Sequence, residues 1–74
     1  MKTEVYNTVY ATRAKMGITQ EELARSVGVS RQTVVSLEKG NYVPSLLLAM
    51  KIAVFFQQPV EEIFYIRRKS NPSR

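Results

Sequence analysis

Cysteine and histidine are both absent from this chain of 74 residues. Without cysteine there is no disulfide to staple a short fold and no thiolate to bind metal or attack a substrate. Without histidine the commonest metal ligand and general base are missing too. The remaining residues offer no nucleophile–base pair, no metal-ligand cluster and no glycine-rich phosphate loop, so no enzyme and no cofactor is expected. Long apolar runs are also lacking: none approaches the about 18 residues of a membrane span. The opening Met1-Lys2-Thr3-Glu4-Val5-Tyr6-Asn7 does not contain the apolar core of a secretory signal. A chain of this length makes one small domain that buries only about 60% of its unfolded surface. Helix packing or a partner subunit must supply the stability that a staple would otherwise give.

Positive charge is present but unevenly spread. The formal net charge is +5, and Arg67, Arg68, Lys69 and Arg74 supply four of the basic groups, leaving seven basic and six acidic groups in residues 1–66. The domain is therefore read as residues 1–66, followed by a basic, disordered tail over 67–74. Such a tail either keeps the protein soluble or adds non-specific attraction to phosphate.

Helix signals recur along the chain. Asn7 is placed to cap a first helix running to Met16, with Val9, Arg13 and Met16 in the 3.6-residue period and Gly17 at its left-handed stop. Thr19 opens a second helix, and Glu22 three residues later completes a capping box. Leu23, Ala24 and Val27 form its apolar stripe before Gly28 ends it. Ser30 caps a third helix running to about Lys39, with Val34 and Leu37 facing inward and Gly40 and Asn41 at its end. Ser45 caps a fourth, Leu46 to Phe56, the most apolar stretch of the chain. A turn at Gln57-Gln58-Pro59 leads into a short fifth helix over Val60 to Phe64. At the ends, Thr3 to Tyr6 and Tyr65 to Arg67 alternate as half-buried strands do, and would pair with each other or with a second subunit.

Two short helices joined by a glycine-containing turn, the second opened by Ser30-Arg31-Gln32-Thr33, have the layout of a helix-turn-helix. Ala24 is small where the third helix must cross the second closely. The chain resembles the Cro/CI-type, XRE-like helix-turn-helix domains of phage repressors and bacterial regulators. Four segments carry the resemblance: residues 17–24 (Gly-Ile-Thr-Gln-Glu-Glu-Leu-Ala), 27–34 (Val-Gly-Val-Ser-Arg-Gln-Thr-Val), 37–40 (Leu-Glu-Lys-Gly) and 44–46 (Pro-Ser-Leu). The resemblance as a whole covers about Val9 to Phe64. The resemblance implies an all-α, compact five-helix lambda-repressor-like domain, with short terminal strands as an addition.

It also implies the site. Arg31 and Gln32 at the head of the third helix, with Ser36 one turn on, would touch base edges in the major groove, arginine suiting guanine and glutamine adenine. Ser30 and Thr33 would meet a base or a phosphate. Gln20, Lys39, Asn41 and Tyr42 would contact phosphates and fix the register. Arg13 and Glu38 match a structural ion pair of the family. Thr12 departs from the large aliphatic residue usual there, a space that Tyr10 would help to fill.

One such module reads few base pairs, so the resemblance implies a homodimer on a palindromic operator. Leu47, Val54, Tyr65 and Ile66 are the candidate contacts of that dimer. The expected role is a small transcriptional regulator, a repressor by steric blockage with activation through contact with polymerase as the open alternative, located with the DNA in the cytoplasm of a prokaryotic or phage-infected cell. The rival reading is a protein-interaction module, antitoxin-like, that uses the same fold to bind a partner protein. RNA is disfavoured for want of an aromatic stacking platform at a recognisable spacing.

Overall fold

The computed structural model describes residues 3–68. The elements in chain order are β1 (Thr3–Asn7), α1 (Val9–Met16), α2 (Gln20–Val27), α3 (Arg31–Glu38), α4 (Leu46–Phe56), α5 (Val60–Ile63) and β2 (Phe64–Arg68). The five helices follow the all-α reading, and the terminal strands pair with each other. β1 and β2 run antiparallel with Glu4 opposite Arg67, Val5 opposite Ile66 and Tyr6 opposite Tyr65. Arg67 and Arg68 thus sit inside the strand pair, and the tail expectation for residues 69–74 lies outside the described residues.

Local chemistry explains the helix starts. At α2 the Thr19 hydroxyl accepts from the Glu22 amide at 3.0 Å, while the Glu22 carboxylate accepts from the Thr19 amide at 2.8 Å. Ser30 and Ser45 cap α3 and α4 by accepting from the amides of Thr33 and Leu48. Each such cap is worth about 1 kcal/mol.

Several local expectations are corrected. Thr8, not Asn7, occupies the cap position of α1, without a capping side-chain bond. Asn7 instead accepts from the Val9 amide and donates to the Leu37 carbonyl at 3.1 Å, so it ties the end of β1 to the end of α3. Val9 is the buried residue of α1, and Met16 is exposed in spite of its periodic spacing. Tyr10 is exposed as well; its ring lies under the Arg13 guanidinium, 5.4 Å from centroid to carbon. At the end of α3 only Gly40 takes a positive φ. α5 stops at Ile63, because Phe64 is already extended and begins β2.

The core is one cluster drawn from all five helices. Val9, Leu23, Val34, Leu37, Ile52 and Ile63 are its fully buried members, and Ala24, Val27, Leu48, Ala53 and Phe56 complete it. α2 packs chiefly on α3, and buried Ala24 offers the short side chain that close crossing needs. Gly28 makes the turn between them at φ 78°. A Cβ there would meet nothing within 4 Å, so the left-handed dihedral, and not crowding, is what calls for glycine.

Candidate nucleic-acid interface

α3 has two unlike faces. Val34 and Leu37 are each 1% exposed, locked against the core. Arg31 and Gln32, on the first turn, are exposed, and neither side chain bonds to another described residue. Burying the Val34 and Leu37 side chains contributes about 1.5–3 kcal/mol each, so the helix cannot roll without losing that burial. The leading side chains are therefore held outward by packing behind them.

The other base-contact candidates are more committed to the fold. The Ser30 hydroxyl accepts from the Thr33 amide at 3.2 Å and lies 3.0 Å from the Thr33 hydroxyl. Its first duty is to cap α3. Thr33 is half-buried, as is Ser36 one turn later. The Ser36 carbonyl accepts from the Asn41 amide at 3.0 Å, which folds the chain back after Gly40.

The trailing end of α3 is tied down. Glu38 Oε2 accepts from Arg13 Nε at 2.7 Å, and Glu38 Oε1 accepts from Arg13 Nη2 at 3.2 Å. The pair is 12% and 5% exposed on the two side chains, so the fork is almost fully withdrawn from water. The Glu38 hydrogen bond and charge hold the Arg13 guanidinium above its ordinary arginine pKa, against the opposing effect of burial. Arg13 Nη1 also donates to the Ile18 carbonyl at 2.8 Å, which joins α1, the loop before α2, and α3.

Gln20 enters the same network. Its Nε2 donates to Glu38 Oε1 at 3.0 Å. The residue expected to meet a phosphate thus has one amide hydrogen engaged inside the protein, and it is half-buried. Sequence spacing gave no sign of this link, because eighteen positions separate the partners. Lys39, Asn41 and Tyr42 are all exposed where the chain leaves α3. The structure therefore groups the candidates into an outward tip at Arg31 and Gln32 and a polar shoulder beyond Glu38. Gln20 joins that shoulder from α2 through Glu38.

A capped α2, a left-handed glycine turn and an α3 presented by its buried face define a protein of the helix-turn-helix class. Residues 9–63 match the family model described as Helix-turn-helix. The chain belongs to the XRE-like helix-turn-helix family of transcriptional regulators, as its sequence resemblance implied. It is similar to the uncharacterized HTH-type transcriptional regulator YgzD of Bacillus subtilis, 48% identical over 64 residues that span 86% of this chain and 97% of that one. An uncharacterized HTH-type transcriptional regulator of Archaeoglobus fulgidus is 62% identical over 52 residues, 70% of this chain and 74% of the other. The cryptic phage CTXphi transcriptional repressor RstR of Vibrio cholerae is 35% identical over 51 residues, 69% of this chain and 46% of its own. Among the described residues no helix is long and apolar enough to cross a membrane.

Proposed function

We propose that this chain binds double-stranded DNA sequence-specifically and acts as a small repressor, with α3 inserted in the major groove by its Arg31–Gln32 tip. The observation that carries this reading is the contrast within α3, where the inner face is fully buried and the leading polar side chains have no partner among the described residues. Arg31 and Gln32 read base edges, with Ser36 one turn further in. Ser30 and Thr33 approach a base or the adjoining phosphate. Lys39, Asn41 and Tyr42 contact the backbone, and Gln20 adds its remaining amide hydrogen from the start of α2.

Two copies act together on a palindromic operator, with recognition helices about 34 Å apart. Leu47 at 63% exposed and Ile66 at 66%, with the half-covered Tyr65, supply apolar surface for that contact. Repression follows from occupancy, because a bound dimer excludes other proteins from the same stretch of duplex. The relative RstR bears the name of a transcriptional repressor, which favours this sense of regulation. The protein would act wherever the genome is accessible, in the cytoplasm of a prokaryotic or phage-infected cell.

Selection of bound duplexes from a random library, followed by binding across a salt series, tests the reading. A consensus of two inverted half-sites about 10 base pairs apart, with affinity falling steeply as salt rises, is the expected result. Enrichment of no sequence, or binding that ignores sequence altogether, would remove it.

A further inference from the structure

α4 carries more apolar surface than the domain can cover. Ten of its eleven residues are apolar, Lys51 being the exception. Leu48, Ala49, Ile52, Ala53 and Phe56 face the core, while Leu46, Leu47, Met50 and Val54 remain exposed. A helix apolar on nearly every side is ordinarily buried on every side. The C-terminal half of this outer face borders an open groove of about 580 Å³ lined by Val27, Gly28, Met50, Val54 and Phe55. Arg25, Ser26 and Lys51 complete its lining, which holds two cations and no carboxylate.

The polar groups of the groove narrow the choice of occupant. The Ser26 hydroxyl donates its one hydrogen to the Glu22 carbonyl within α2 and can only accept from a ligand. Arg25 reaches Glu21 at 3.6 Å, an exposed pair with both side chains about two-thirds bare or more, which holds Arg25 only weakly. Lys51 makes no ion pair among the described residues. The chemistry left for a ligand is therefore an apolar floor with positive charge on both walls. A nucleic-acid backbone would use the cations but gain nothing from Met50, Val54 and Phe55. A second copy meets an obstacle of symmetry. In a two-fold pairing of this patch with itself, the groove lining brings no carboxylate to meet Arg25 and Lys51.

We infer that the groove between the end of α2 and α4 docks an acidic amphipathic helix of another protein. Its bulky apolar side chains, spaced three and four residues apart, seat over Val27, Met50, Val54 and Phe55, and its flanking carboxylates meet Arg25 and Lys51. Methionine suits such a site, because its unbranched thioether adapts to differently shaped partners. Val54 then belongs to this groove, and self-association rests on Leu47, Tyr65 and Ile66. The inference does not depend on DNA binding.

The test is selection of displayed random peptides of about 16 residues, long enough for four helical turns, against the full chain. The expected consensus has large apolar residues three and four apart with Glu or Asp beside them. Val54→Ser and Lys51→Glu, both at exposed positions and checked by melting temperature, each weaken the selected peptide at least about tenfold. The Arg25→Glu/Lys51→Glu variant then prefers the same peptide with its acidic residues changed to Lys. Recovery of no groove-competing peptide, or of one whose binding ignores Val54→Ser, overturns the inference. So does sedimentation showing that Val54→Ser dissolves a dimer, which makes the occupant a second copy. Loss of duplex affinity with a shallower salt slope in the double charge variant would assign Arg25 and Lys51 to phosphate and also overturn it.

Discussion

The two ends of α3 are built on opposite principles. At the trailing end Glu38 is 5% exposed and accepts from Arg13 twice and from Gln20 once, so three helices converge on one carboxylate. At the leading end Arg31 and Gln32 stand in solvent with no partner among the described residues. A rigid anchor and a free tip on one eight-residue helix mean that stability and recognition are carried by different residues. Substitutions at the two ends should then separate the two properties.

The largest expected effect is at the anchor. Glu38→Gln leaves the nearly buried Arg13 guanidinium without its counter-charge, a change that costs about 3–5 kcal/mol. The Ile18 carbonyl still accepts from Arg13, which keeps the cost near the lower end of that range. Thermal unfolding should show a melting temperature lower by more than about 10 °C, with the base preference of the remaining folded protein unchanged. Leu37→Ala, one residue earlier and fully buried, should cost about 2–5 kcal/mol by denaturant titration and likewise leave preference intact. Ser30→Ala, at the boundary between tip and fold, should lose about 1 kcal/mol from the lost cap, while Ser30→Gly should lose only a few tenths.

The anchor should also be insensitive to moderate alkali. The folded pKa of Arg13 is raised, so its contribution is complete below the unfolded value and is lost only as pH climbs through the folded one. The difference in melting temperature between wild type and Glu38→Gln should therefore stay constant from about pH 7 to about pH 9. A difference that shrank across that window would place the stabilisation elsewhere.

What the sequence disclosed follows the same division between local and distant causes. Thr19 with Glu22, Ser30 and Ser45 were legible as caps because each acts within three residues of itself. The left-handed stops at Gly17 and Gly28 were legible for the same reason. Asn7 was read as the cap, but it ends β1; its Oδ1 accepts from the Val9 amide while its amide donates to the Leu37 carbonyl, thirty positions away. The Arg13–Glu38 pair came from family resemblance, and no local pattern contains it. Gln20 was read as a phosphate contact, and its bond to Glu38 exists only once α2 and α3 have crossed. The strands were visible as alternation, but their mutual pairing is a tertiary fact. The groove was invisible, because residues 25–28 and 50–55 meet only in the fold.

The account turns on the tip of α3, and Arg31→Ala examines it most directly when base preference and melting temperature are measured on the same preparation. The variant should unfold within about 0.5 kcal/mol of wild type, as an exposed side chain without partners allows. In duplex selection it should lose discrimination at one position of each half-site, by about 1–3 kcal/mol. An unchanged consensus, or a large loss of stability, would contradict the claim that this residue is held outward to read DNA.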